Sequence, residues 1–165
     1  MEPSASQTRA RDVHVERVRP LWALRALIVS VILLSSGAAY ADLRGWFLDV
    51  GQGDSALFVS PTGTVVLVDA GPKGSDDVIR AAMARAGVSS IDWVVLTHAH
   101  VDHIGGLRAL LSDVKVSRVI DSGFVHPTRS YQALMEALHE HQIPVQTARR
   151  GQVIELGDGA KLRVL

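Results

Sequence analysis

The decapeptide Thr97-His98-Ala99-His100-Val101-Asp102-His103-Ile104-Gly105-Gly106 limits this chain more than any other stretch. It places three imidazoles and a carboxylate within six positions. Each polar ring buried in an ordinary core needs its own hydrogen-bond partner, so a packed core is a poor home for four such groups. Imidazole and carboxylate are also the donors that zinc, iron and manganese accept. The flanks set the geometry. Trp93-Val94-Val95-Leu96 is a continuous apolar run and reads as a buried strand. Leu107, Leu110 and Leu111 follow with helical spacing. The donors therefore fall on a strand-to-helix turn at the C-terminal end of a strand, where sites in open α/β sheets commonly lie. On a tight loop, His98 and His100 can reach one ion while Asp102 and His103 turn towards a second, giving a two-metal site.

Composition narrows the setting. The chain has 165 residues, 47% of them hydrophobic, which is enough for one domain with a substantial core. Its formal net charge is zero, so overall charge gives no argument for a nucleic-acid surface. Cysteine is absent, which removes disulfides, thiolate ligands and a lipidated N-terminal cysteine.

Residues 1–41 read as a segment apart. A polar start carrying Arg9, Arg11, Arg17, Arg19 and Arg25 precedes the apolar run from Ala26 to Leu34. Ala39-Tyr40-Ala41 closes the segment with small residues at the positions a signal peptidase requires. A secretory signal peptide cut before Asp42 is expected, with a secreted or periplasmic product. The alternative is an uncleaved anchor that holds the domain outside the cytoplasm. The 16 uncharged residues from Ala26 to Ala41 fall short of the roughly 20 a spanning helix needs, which favours cleavage. Membrane contact is expected only through this segment. There is no paired arginine, so the twin-arginine route is not indicated.

From Asp42 onward the pattern is rich in strands, then alternates strand and helix. Arg44–Val50, Ser55–Ser60 and Thr64–Val68 form an expected β-meander joined by glycine turns. Ser75-Asp76-Asp77 is expected to cap a helix with apolar positions Val78, Ile79, Ala82, Met83 and Ala86, stopped by Gly87. Ile91–Leu96 and Val114–Ile120 are expected strands. Thr128 is expected to cap a helix with Tyr131, Leu134, Met135 and Leu138 on one face. Ile143–Gln146, Gln152–Ile154 and Lys161–Leu165 complete the series as short strands. The pattern predicts an α/β sandwich with helices outside the sheets.

The metal loop resembles the signature of the metallo-β-lactamase superfamily. Together with Leu48-Asp49-Val50-Gly51-Gln52-Gly53-Asp54-Ser55 and Leu67-Val68-Asp69-Ala70-Gly71, it is similar to the hydrolase-like domain of the competence protein family ComEC/Rec2. In that family the domain accompanies a membrane DNA-uptake channel and has been linked to nuclease activity. One apolar segment cannot form such a channel, so the chain looks like a secreted, stand-alone relative. The resemblance spans nearly all of residues 45–165. It implies an αββα sandwich of which residues 42–165 form the N-terminal half. It also implies His98, His100, Asp102 and His103 as ligands of zinc, with manganese as the second choice, and Asp102 as the catalytic carboxylate. By the same resemblance Asp69 orients a ligand histidine. Asp54 or Gln52 lines the mouth of the site, unless Gly51-Gln52-Gly53-Asp54 is only a turn. His126, His139 and His141 are expected to be exposed and solvated.

The resemblance further implies a downstream histidine, a bridging aspartate and a last histidine. No matching segment follows before Leu165, so a truncated domain incomplete at its C-terminus is expected. Weak metal affinity and slow hydrolysis by the chain on its own go with that expectation. Two functional classes follow. The first is a metal-dependent hydrolase using a metal-activated water, acting on phosphodiester bonds; within enzymes, a lactonase, thioesterase or β-lactamase-like activity is the variant. The second is a non-catalytic metal-binding or partner-binding remnant. Whether the substrate is a small molecule or a nucleic acid is left open by the residues themselves.

Overall fold

The computed structural model describes residues 42–165. The expected signal peptide or anchor, residues 1–41, lies outside the described residues. Among the described residues no helix is long and apolar enough to cross a membrane.

Strands β1 (Arg44–Phe47), β2 (Ala56–Val59) and β3 (Val65–Val68) form the expected antiparallel meander. Helix α1 (Asp76–Ala86) then crosses over, and the strands that follow join in parallel. Short β4 (Ser90–Ile91) precedes β5 (Trp93–Val95). Helical turns α2 (Val101–Ile104) and α3 (Leu107–Leu110) come next. They are followed by β6 (Lys115–Val116), β7 (Val119–Asp121), α4 (Arg129–Glu140) and β8 (Val145–Thr147). The main sheet has six strands in the order β1-β2-β3-β5-β7-β8, with β3, β5, β7 and β8 parallel. A hairpin of β9 (Val153–Gly157) and β10 (Ala160–Arg163) forms a separate two-stranded sheet.

The two faces of the main sheet bury different residues, as the period-2 alternation of strand side chains requires. Leu57, Leu67 and Val94 point to the helical side, where Ile79, Leu107, Leu110, Leu134 and Leu138 complete the larger core. Val66 and Ile120 point the other way and meet Ile154 and Leu156 of the β9–β10 hairpin. Thr62 Oγ1 fastens that hairpin by donating to the Leu156 carbonyl at 2.7 Å. The result is a mixed α/β arrangement of helices, main sheet and hairpin.

Several local expectations need correction. The two long strands expected around the His98–His103 loop are each broken. Asp92 separates β4 from β5, because its backbone N–H and its Oδ2 both bind Val65 and turn the chain. Ser117 and Arg118 likewise separate β6 from β7, and β6 pairs with β4 in a small sheet of its own. Ser75 precedes α1 but makes no side-chain cap. Val78 is exposed, since it lies about 100° around the helix from Ile79 and so off the buried stripe of Ile79, Ala82, Met83 and Ala86. Gly87 does close α1, with a left-handed φ of 73°. Thr128 does cap α4, accepting from the Tyr131 N–H.

The topology decides where the chemistry sits. In a parallel set, all the strand-to-helix loops emerge at one edge. The loops after β3, β5 and β7 therefore share the C-terminal edge of the sheet. They carry Asp69, the His98–His103 run and the segment 122–128.

Candidate metal centre

The loop after β5 is not uniformly tight. His100 is extended at φ −76° and ψ 148°, and Asp102 and His103 lie on the helical turn α2 that begins beside it. This divides the donors. His98 and His100 lie in the irregular segment between β5 and α2, while Asp102 and His103 project from a turn. His103 is buried, His98 and Asp102 are half-buried, and His100 is exposed.

Three rings cluster. The His98 and His103 centroids are 3.8 Å apart, and those of His98 and His100 are 4.8 Å apart. His98 thus stands between the other two.

Asp69, 1% exposed, organises the cluster from beneath. Its Oδ1 accepts the Thr97 backbone N–H at 2.8 Å. Its Oδ2 accepts the Thr97 hydroxyl at 2.6 Å and lies 2.8 Å from His103 Nδ1. A carboxylate only accepts, so His103 must carry its proton on Nδ1, which leaves the Nε2 lone pair free. The same logic passes one residue further. Thr97 Oγ1 gives its proton to Asp69, so at 3.1 Å it accepts from His98 Nδ1–H, and His98 too keeps Nε2 free. One buried carboxylate therefore sets the tautomers of two imidazoles. A carboxylate behind a histidine is the usual support for a metal ligand.

Asp69 is held in turn. Its φ of 53° is left-handed, a conformation aspartate tolerates better than most residues and one often found at functional sites. Ser55 Oγ donates to its carbonyl at 3.0 Å. The next residue, Ala70, donates its N–H to the His103 carbonyl, tying the end of β3 directly to α2.

The Gly51–Asp54 segment links β1 to β2 and also reaches the site. Gly51 and Gly53 have φ of 74° and 124°, as a glycine turn requires. A Cβ on Gly53 would lie 2.0 Å from the Asp102 carbonyl oxygen, so only glycine permits this loop to touch α2. Asp54 follows, with Oδ2 3.8 Å from His103 Nδ1 and a side chain 80% exposed. Its carboxylate thus lies at the solvent-facing border of the cluster, whereas Gln52 is exposed beside it.

His126 was expected to be solvated but is half-buried, with its ring 5.4 Å from that of His100. Its Nδ1 lies 3.0 Å from Thr128 Oγ1. The signal that points to it is topological: β7 is the parallel neighbour of β5, so their following loops meet. His139 and His141 are exposed, as expected.

Close by, at the end of β7, Asp121 is buried. It accepts from the Tyr131 hydroxyl at 3.2 Å and the Gly123 N–H at 3.0 Å through Oδ2, while Oδ1 has no partner among the described residues. Burial, and then the Asp121 charge, push the Tyr131 phenol above its ordinary range.

The residues suit a divalent ion by donor chemistry. There are three adjacent imidazoles, two with a defined free nitrogen, and a carboxylate on the same loop. The rings are neighbours without converging: among the described residues no three His, Asp or Glu side chains form a ready-made cage.

Comparison with known proteins agrees with this architecture. Residues 48–161 match the profile of the Metallo-beta-lactamase superfamily, and the chain belongs to that superfamily. Among its relatives, ComE operon protein 3 of Bacillus subtilis is 30% identical over 129 residues, covering 67% of this chain and 16% of the relative. A ribonuclease Z of Aeropyrum pernix is 28% identical over 138 residues, covering 78% of this chain and 41% of the relative. The chain thus spans less than half the length of either. A metallo-β-lactamase of Cronobacter sakazakii has the same fold over 73% of this chain and 48% of its own, with a TM-score of 0.50 at 24% identity.

Proposed function

We propose that this domain is a metal-dependent hydrolase directed at phosphodiester bonds. The observation that carries the metal part is the relay from His98 through Thr97 and Asp69 to His103. It spends one buried carboxylate on fixing two imidazoles with Nε2 available. A packed core histidine would need partners on both ring nitrogens, whereas among the described residues these two rings are bonded through Nδ1 alone. His98, His100, Asp102 and His103 would hold the ion, with zinc the first choice and manganese the second. A divalent ion bound there supplies Lewis-acid polarisation of the electrophile and makes water a competent nucleophile at neutral pH. The chain's own contribution is orientation. Asp69 holds two rings in one tautomer, α2 presents Asp102 beside them, and Asp54 at the open side offers an acceptor for a proton leaving the cluster.

The phosphodiester preference is supported by the names of the relatives, a ribonuclease Z among them, and by the ComEC/Rec2-like Gly51-Gln52-Gly53-Asp54 segment. It is tested by offering the 165-residue chain, with zinc or manganese, bis(p-nitrophenyl) phosphate and the β-lactam nitrocefin in parallel. Cleavage by the chain on its own is expected to be slow, metal-dependent, in favour of the phosphodiester and lost in Asp102→Ala. Faster opening of the β-lactam would replace the phosphodiester reading. Tight metal binding with no cleavage of either substrate would favour the metal-binding remnant.

A further inference from the structure

A groove lies on the helical side of the molecule, immediately beyond the metal loop. One part is a cavity of about 220 Å³ between the 71–74 turn, the end of α2 and the start of α4. A shallower hollow of about 440 Å³ continues it and shares Lys73, Gly105 and Arg108. The floor is apolar, from Ile104 and Leu134, and the walls carry three cations, Lys73, Arg108 and Arg129, together with the Ser130 hydroxyl.

The charges around this groove are unbalanced. Among the described residues Arg80 has Asp76, Asp77 and Asp113 as partners, and they hold its guanidinium firmly in the charged form. Lys73, Arg108 and Arg129 have no carboxylate within 4.0 Å among the described residues. The neutral overall composition therefore hides a local excess of positive charge. Three like charges around one concavity repel one another, and an anion seated between them removes that cost. Arginine and lysine together suit phosphate, the guanidinium as a two-pronged donor and the ammonium as a point charge.

The groove is also tied to the imidazole cluster by short backbone links. Gly105 is two residues past His103, and Arg129 is three past His126. A Cβ on Gly105 would fall 2.5 Å from the Lys73 backbone nitrogen, so this glycine lets the 71–74 turn seat Lys73 against α2.

We propose that this groove binds a backbone phosphate of a nucleic-acid strand, at a position removed from the bond being cleaved. The proposal rests on the phosphodiester reading above and extends it from bond type to polymer. Neutral overall charge is no obstacle, because a few local cations suffice to contact phosphates and release their counterions.

The test uses the 165-residue chain and the variant Lys73→Gln/Arg108→Gln/Arg129→Gln. All three side chains are exposed, so the variant should keep its melting temperature. Binding of a short labelled oligonucleotide is followed by fluorescence anisotropy across a salt series, with inorganic phosphate as competitor. The variant is expected to bind roughly tenfold or more weakly. The slope of log K against log salt should flatten by about 0.7 for each single-strand phosphate that the variant no longer neutralises. Metal content and cleavage of bis(p-nitrophenyl) phosphate should be unchanged, since none of the three side chains is among the proposed ligands and the ester carries no second phosphate to seat in the groove. No binding by the unmodified chain, or binding and slope unaltered by the substitutions, overturns the proposal. Displacement of the oligonucleotide by equimolar inorganic phosphate also overturns it, in favour of a free-phosphate site. Failure of the phosphodiester reading is separate: it appears as absent bis(p-nitrophenyl) phosphate cleavage, whatever the oligonucleotide does.

Discussion

Asp69→Asn is expected to weaken metal binding by about 10- to 100-fold, the usual effect of losing a carboxylate behind a histidine ligand. The substitution keeps the size and shape of the side chain but not its acceptors. In the native site three donors point at two carboxylate oxygens: the Thr97 N–H, the Thr97 O–H and His103 Nδ1–H. Asparagine has one oxygen and one NH2. If the NH2 takes the Oδ1 position, it faces the Thr97 N–H, donor against donor in a buried place. If it takes the Oδ2 position, it faces His103 and the Thr97 hydroxyl. His103 can then accept only by moving its proton to Nε2, the nitrogen needed for the ion. The first orientation also leaves a buried donor without an acceptor, at a cost of about 1–3 kcal/mol in stability. Zinc competition against a chelating dye reads the first effect, and thermal unfolding in the presence of chelator reads the second. Unchanged zinc affinity would show that Asp69 does not serve the site.

Gly106→Ala is expected to be strongly destabilising, costing about 3 kcal/mol and lowering metal affinity with it. The backbone at Gly106 is ordinary, with φ −77° and ψ −24°, so conformational strain is not the reason. The obstacle is space. A Cβ there would lie 2.4 Å from the Ala70 carbonyl oxygen, which is backbone and cannot rotate away. Relief requires the end of β3 to part from the start of α3. That same junction carries the Gly106 N–H to Gly71 carbonyl bond at 3.2 Å and the neighbouring Ala70 N–H to His103 carbonyl bond. Parting them moves Asp69 relative to His103. Denaturant unfolding and the zinc titration should therefore fall together. A variant of normal stability and affinity would show that β3 and α2 are not rigidly coupled.

The architecture was legible because its signals are strong over short spans. The glycine-punctuated meander, the stripe of Ile79, Ala82, Met83 and Ala86, and the apolar run before the histidines each point to one local structure. The breaks at Asp92 and at Ser117-Arg118 were not legible. Apolar patterning records burial, whereas these breaks depend on which strand each half pairs with. In the candidate site, the His-x-His-x-Asp-His spacing picks out the proposed donors directly. The Asp69 relay depends on an interaction between residues 34 positions apart, so only resemblance could suggest it in advance. His126 carries no spacing signal at all. It reaches His100 because β5 and β7 are parallel neighbours, a fact of topology that a lone histidine beside Pro127 cannot announce. The Lys73–Arg108–Arg129 groove was hidden for a similar reason, since its three cations come from separate elements.

The proposed metal centre stands or falls on the His98–His103 loop. The most direct test is the metal content of the purified 165-residue chain beside that of His98→Ala/His100→Ala, both dialysed against the same zinc-containing buffer. Bound zinc is expected in the native chain and its loss in the double variant, with both proteins folded by circular dichroism. Equal zinc in the two proteins, or none in the native chain, would contradict it.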